Sequence, residues 1–325
     1  IRRPPRSTRK ESSAASDVYK RQLYNISYDP VSEITITSGA TQAIFTAITA
    51  FVKEQDEVII FTPAYDCYQP AVELAGGKPV FVQLKAPDYS VNWEEVKKLI
   101  SQKTKMIIIN TPHNPTGTIL SRDDMLELEK ITSESEIIIL SDEVYEHIIF
   151  DQIEHESICR YNGLAARSMA VFSFGKTFHV TGWKMGYCIG PKELMKEFRK
   201  VHQFNVFSSN HPLQHALADY LRDREQYLSI GSFYQKKREV FQQAIKGSRF
   251  KIIPCSGTYF QLLSYATISQ ESDVLFAERL VKEHSIAAIP VSVFYNSPLD
   301  EKVLRFCFAK KEETLQSAAE ILCNV

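Results

Sequence analysis

No apolar run in this 325-residue sequence approaches the roughly 18 to 20 residues that a membrane-spanning helix needs. Net charge is nearly absent: 38 Lys and Arg face 39 Asp and Glu, a formal -1. That excludes a global field favouring nucleic acid or an anionic membrane, so neither is expected as a partner. There is no Cys-x-x-Cys. The six cysteines, Cys67, Cys159, Cys188, Cys255, Cys307 and Cys323, are scattered. They read as reduced, cytosolic thiols rather than as a disulfide framework or a zinc site. His211 and His215 share helical i, i+4 spacing, but no third ligand accompanies them, so no metal is expected. Internal repeats are absent. What remains is ordinary for a globular chain, 44% hydrophobic and 24% charged. The length allows one large domain and a smaller one.

Residues 1–22 do not match the rest of the chain. Arginines and lysines crowd the first ten positions, with Pro-Pro among them and a Ser/Ala run after them. The stretch has no apolar h-region, which argues against a secretory signal within it. An Arg/Ser-rich transit peptide or a nucleic-acid tail is one reading. The favoured one is translated cloning or adapter sequence joined to the reading frame, and disorder is expected through residue 22.

From Ile34 onward strands and helices alternate. Glu33–Thr37 is a strand running into Ser38-Gly39-Ala40-Thr41-Gln42, and a helix comes next with Ile44, Ala47, Ile48 and Phe51 on one face. Strand, glycine turn and helix N-terminus make an anion site through the N–H groups of Ala40 and Thr41, or an ordinary turn. The strand Glu57–Phe61 ends near Tyr65, placed either to stack on a flat ring or simply to pack. Strands at Lys78–Val82 and Lys105–Asn110 flank a helix at Trp93–Ser101. The turn Thr111-Pro-His-Asn-Pro-Thr-Gly117 is rigid enough to hold Asn114 in place, as a phenolate donor or a structural asparagine. After a helix at Arg122–Ser133, the strand Ile137–Ser141 ends at Asp142. A carboxylate there is costly unless a cation pairs with it, whether a protein side chain or a protonated pyridine. Tyr145 lies three residues on.

The strand Met169–Phe172 leads into Ser173-Phe-Gly-Lys176-Thr-Phe-His-Val-Thr-Gly-Trp-Lys184-Met-Gly186. A lysine just past a buried strand is partly desolvated, which disfavours the ammonium. A neutral amine can attack an aldehyde to form a Schiff base. Ser173 and Lys184 supply a hydroxyl and a second cation, a pairing suited to phosphate. Aldehyde plus phosphate on one small molecule points to pyridoxal 5'-phosphate. Penicillin-binding proteins share the Ser-x-x-Lys, but their Lys-Thr-Gly occurs nowhere in this sequence.

The alternation through residue 190 predicts an α/β fold, a mostly parallel sheet sandwiched by helices. Helices are expected at Lys192–Val206, His211–Arg222 and Ile230–Ile245. A smaller C-terminal α+β domain comes after them, with strands at Phe250–Pro254, Thr258–Ser264, Ala287–Pro290 and Val303–Phe308. Its helices are Val274–His284 and Glu312–Leu322. The expected division is 23–222 for the large domain and 223–325 for the small one.

Taken in order, Ser-Gly-Ala-Thr-Gln, Asn-Pro-Thr-Gly, Ser-Asp-Glu-Val-Tyr, Ser-Phe-Gly-Lys…Thr-Gly-Trp-Lys and Arg-Phe-Cys-Phe resemble the class I/II aminotransferases. These belong to fold type I of the pyridoxal phosphate enzymes. The resemblance runs from about residue 23 to 325. Val201–Asn210 and Ala287–Phe294 look most like bacterial methionine aminotransferases, a group near glutamine transaminase K and kynurenine aminotransferase. The resemblance implies that Lys176 binds the cofactor covalently and shuttles a proton, while Asp142 pairs with the pyridine nitrogen. It implies Asn114 and Tyr145 at the ring's O3', Tyr65 stacked on the ring, and Ala40, Thr41, Ser173 and Lys184 around the phosphate. Arg305, with Asn114 beside it, would take the substrate α-carboxylate.

The implied activity is ping-pong transamination in amino-acid metabolism, by a cytoplasmic homodimer. No arginine for a distal carboxylate stands in Phe204–Asn210, which favours methionine or another apolar, sulfur-containing or aromatic substrate. A carbon–sulfur β-lyase acting on cystathionine or cysteine conjugates is the alternative. A non-catalytic effector domain of a transcription regulator is a remote one. Family members also carry an N-terminal stretch, with a tyrosine reaching the neighbouring subunit's phosphate, that has no counterpart here.

Overall fold

Apolar runs bounded by turns become strands. The computed structural model describes residues 10–297 and 299–325. It joins seven strands into one sheet: β1 (Ile34–Thr37), β2 (Glu57–Thr62), β3 (Lys78–Gln83), β4 (Thr104–Asn110), β5 (Ile138–Asp142), β6 (Ser168–Ser173) and β7 (Gly186–Ile189). Their spatial order is β1-β7-β6-β5-β4-β2-β3. The four pairings from β3 to β6 are parallel, and β7 runs antiparallel to both β6 and β1. The sheet is thus mostly parallel, as expected.

The helices packed against this sheet include α1 (Lys10–Tyr24), α2 (Ala40–Phe51) and α3 (Tyr68–Leu74). Successive side chains of a strand point to opposite faces. Ile59, Phe61, Ile107, Ile109 and Ile139 therefore pack on one side of the sheet. Val58, Ile60, Met106, Ile108, Ile138 and Leu140 pack on the other, against Ala43, Ile44, Ala47 and Ile48 of α2. Two buried faces explain why these strands read as continuous apolar runs rather than as alternations.

A second, antiparallel sheet holds β8 (Lys251–Ile252), β9 (Phe260–Ser264), β10 (Ile289–Pro290) and β11 (Val303–Cys307), in the order β10-β11-β9-β8. The strands expected at Phe250–Pro254 and Ala287–Pro290 shrink to two residues each. Both lie at sheet edges, and Phe250 and Ile253 are buried outside the ladder. The helices Asp273–His284 and Glu312–Cys323 belong to this part of the chain. Residues 222 and 223 fall between the helices His211–Tyr220 and Glu225–Leu228, in the helical stretch separating the sheets. Among the described residues, no helix is long and apolar enough to cross a membrane.

The disorder expected through residue 22 is corrected over residues 10–22; residues 1–9 lie outside the described ones. Lys10–Tyr24 is helical, and Ser13, Ser16, Asp17, Tyr19 and Lys20 are buried. Low overall hydrophobicity concealed specific partners. Tyr19 packs edge-on against Tyr227, and Lys20 reaches a buried carboxylate, Glu146, at 2.5 Å.

Candidate active site

Register levels the strand ends. Asn110 pairs with Asp142, and Asp142 with Val171, across β4, β5 and β6. Ser173 and Thr37 both pair with Gly186 across β6, β7 and β1. A cavity of about 490 Å³ opens at this edge, where ligands of open α/β sheets bind. All ten residues singled out in the sequence line it: Ala40, Thr41, Tyr65, Asn114, Asp142, Tyr145, Ser173, Lys176, Lys184 and Arg305.

Lys176 stands on a single helical turn, Phe174–Thr177, directly after β6. Ser173 caps that turn, its Oγ accepting from the Lys176 backbone N–H at 3.3 Å. Lys176 Nζ donates to the Tyr259 phenol at 2.7 Å and lies 5.6 Å from the Tyr145 ring centre. Asp142 ends β5 and is only 3% exposed. Tyr68 Oη donates to its Oδ2 at 2.6 Å, and the Val144 N–H to its Oδ1 at 3.3 Å. Burial pushes the Asp142 carboxyl up to about 6, against the downward pull of those two donors. Among the described residues no Lys or Arg forms an ion pair with it.

The end of the cavity expected to take an anion is built on backbone. Gly39, at φ +83, turns the chain into α2, whose first residues are Ala40 and Thr41 and whose first turn carries no acid. A Cβ on Gly39 would lie 3.5 Å from Lys184 Cε, so the lysine stem passes beside the helix N-terminus. Lys184 itself sits in the left-handed region at φ +52. Thr41 Oγ1 and Tyr65 Oη are 3.2 Å apart, which ties the helix start to the ring beyond β2.

Arg305 reaches the cavity from β11 in the other sheet. Its Nη1 donates to Asn114 Oδ1 at 2.6 Å. Its guanidinium lies 4.1 Å from the Phe260 ring centre and 4.8 Å from that of Phe294. Asn114 is fixed in turn, its N–H donating to Asn110 Oδ1 at 2.8 Å, while Asn110 Nδ2 donates to the Asp142 carbonyl at 2.9 Å. Ile289, paired with Arg305 across the ladder, and Val293 complete an apolar rim.

Three residues escaped the sequence reading. Tyr68 stands three positions after Tyr65 at the start of α3, a helical spacing that could have flagged it. Asn110 ends β4 as Asp142 ends β5. Tyr259 comes from the bend just before β9, and no local signal joins it to Lys176. The neutral segment Phe204–Asn210 contributes nothing to the cavity lining of its own chain. His211 and His215 meet edge to face at 4.9 Å. Among the described residues no three His, Cys, Asp or Glu converge as for a metal.

Residues 6–322 match the model of the aminotransferase class I and II family. The chain belongs to that family. It is 48% identical over 302 residues to the methionine aminotransferase of Escherichia coli K12, covering 93% of this chain and 78% of that relative. Human kynurenine–oxoglutarate transaminase 3 is 35% identical over 339 residues, covering 95% and 74%. A solved E. coli protein, reported with a methionine aminotransferase function, superposes with a TM-score of 0.97 at 45% identity. That match covers 100% of this chain and 86% of the other. The aromatic aminotransferase of Pyrococcus horikoshii gives 0.92 at 31% identity, covering 98% and 86%.

Aminotransferases of this family depend on pyridoxal phosphate, and the cavity fits it. A buried carboxylate without a cationic side-chain partner suits a protonated pyridine. A helix N-terminus with a lysine stem beside it suits a phosphate. An amine stands on the same cavity wall.

Proposed function

We propose that this aminotransferase moves the amino group of methionine, or of another apolar, sulfur-containing or aromatic amino acid, to a 2-oxo acid by a ping-pong mechanism. The observation carrying the reading is that Lys176, Asp142 and Arg305 line one cavity beneath an apolar rim of Phe260, Ile289, Val293 and Phe294. The likeness to the E. coli methionine aminotransferase supports the choice of substrate. In the same reading the enzyme is a cytoplasmic homodimer.

Bound pyridoxal phosphate supplies the electron sink that makes the substrate Cα–H acidic. Lys176 Nζ would hold the cofactor through its aldehyde and would serve as the base for the substrate Cα proton. Asp142 keeps the pyridine nitrogen protonated. Asn114 and Tyr145 would hold the ring oxygen, and Tyr65 would pack on the ring. Ala40, Thr41, Ser173 and Lys184 bind the phosphate. Arg305 fixes the α-carboxylate, and its hydrogen bond to Asn114 sets both groups in one frame.

An absorbance titration tests this. Purified protein should show the visible band of lysine-bound cofactor, and Lys176→Ala should lose it. The band should shift at lower methionine than aspartate concentrations. A band that survives Lys176→Ala, or a preference for aspartate, would contradict the reading.

A further inference from the structure

We propose that Tyr259 is the positioning residue for the Lys176 amine: its phenol holds Nζ at the cavity wall, aimed at the cofactor aldehyde. This rests on the function proposed above and assigns to that site a residue the sequence did not flag. Among the described residues, Tyr259 Oη is the hydrogen-bond partner of Nζ, at 2.7 Å. Tyr259 does not itself line the cavity, whereas Lys176 does. The phenol therefore stands behind the amine rather than in the space a substrate would fill.

The chain fixes that phenol from several directions. Tyr259 comes directly after Gly257–Thr258, which packs closely on the turn carrying Asn114: a Cβ on Gly257 would lie 2.6 Å from Pro112 Cβ. Thr258 is β-branched yet sits at φ +67, a left-handed conformation such residues avoid. It is held there by its N–H on the Ile148 carbonyl at 2.9 Å and by its Oγ1, which accepts from the Phe260 N–H at 3.2 Å. The Tyr259 carbonyl accepts from the Phe308 N–H at 3.0 Å. Its ring meets Tyr145 edge-on at 5.3 Å and Tyr234 at 5.7 Å. Tyr234 is engaged elsewhere, its phenol 3.1 Å from His179 Nδ1, and does not compete for the amine.

The physical need is clear. A lysine side chain has four rotatable bonds, and a free amine samples many positions. In the capture step Nζ bonds to the aldehyde carbon, and the carbonyl oxygen leaves as water with both protons of the neutral amine. Orientation of the attacking atom governs the rate of such a step. The same orientation serves the return of the amine for the Cα proton.

Tyr259→Phe keeps the ring and its packing and removes one oxygen. Two readouts are taken. One is the rate at which the cofactor-stripped full chain captures added pyridoxal 5'-phosphate at Lys176, trapped with borohydride at timed intervals. The other is kcat and KM for methionine in the loaded enzyme. Capture should slow by about 10- to 100-fold and kcat should fall similarly. KM should stay within about twofold, the signature of an interaction that does not bind substrate. Tyr234→Phe, one phenol further out, should change none of these. Wild-type capture rates in Tyr259→Phe overturn the proposal whatever kcat does, and so does an equal loss in Tyr234→Phe. A wild-type chain that captures no cofactor at Lys176 overturns both this proposal and the function it rests on.

Discussion

Asp142, the last residue of β5, and Glu146, four residues on, are both buried, and their surroundings treat charge in opposite ways. Glu146 has Lys20 Nζ at 2.5 Å, with phenols of Tyr24, Tyr19 and Tyr187 donating at 2.7, 3.0 and 3.4 Å. Burial alone would raise its carboxyl, but Lys20 and the donors bring it down to about 2. Asp142 has one phenol and one backbone N–H, and there burial wins. The first carboxylate is paired within the chain; the second, among the described residues, has no Lys or Arg in an ion pair with it. In the proposed function, that difference is what sets Asp142 apart from a structural acid.

The signs of their pH dependence are opposite too. The folded-state value for Glu146 lies below the ordinary 4.5, so it contributes stability above that pH and loses it as pH falls toward about 2. Asp142 is raised from 3.8 to about 6, so the cofactor-free chain carries a penalty of about 3 kcal/mol above pH 6. That penalty is relieved as pH falls through 6 toward 3.8.

The strongest break of this contrast is Asp142→Asn. It leaves nothing to hold the pyridine proton, and kcat/KM for methionine should fall on the order of 10³-fold. In urea unfolding at pH 8, the cofactor-free variant should be more stable than wild type by about 1 to 3 kcal/mol. Activity within tenfold of wild type would show that Asp142 is merely another structural acid.

Lys20→Met attacks the other side. It strands Glu146 in the core without its cation, and urea unfolding should register a loss of about 3 to 5 kcal/mol. Unchanged stability would mean that α1 contributes no real ion pair, and that the contrast between the two acids rests on the phenols alone.

Chain distance explains why the sequence revealed one half of this contrast and not the other. Asp142 and Ser173 end apolar runs and Lys176 stands one helical turn beyond, so the strands announce them, while Asn114 is singled out by its rigid Pro-Gly turn. Tyr65 and the Ala40–Thr41 turn are also singled out by their places just past strand ends, whereas Arg305 comes only through the order of the motifs. The Glu146 network joins residues more than 100 positions apart, and its segment from Ser13 to Lys20 is polar enough to read as disordered. Tyr259 likewise reaches Lys176 from 83 positions away, from the bend before β9. Short-range patterns place a residue on an element; they do not say which element comes to meet it.

Tyr68→Phe sharpens the contrast most gently. It removes the phenol that opposes burial at Asp142, so that carboxyl should rise further above about 6. At pH 8 the cofactor-free variant should be less stable than wild type by about 1.5 to 3 kcal/mol, the range for a hydrogen bond to a charged group. Below about pH 6 both proteins take up the proton at Asp142, the variant at higher pH than wild type, and the gap should shrink. Urea midpoints at pH 5 and pH 8 check this. A gap of equal size at both pH values would show that Tyr68 supports the cavity by packing. A gap that closes in acid would show that it acts on the Asp142 charge, the property separating this carboxylate from the one four residues away.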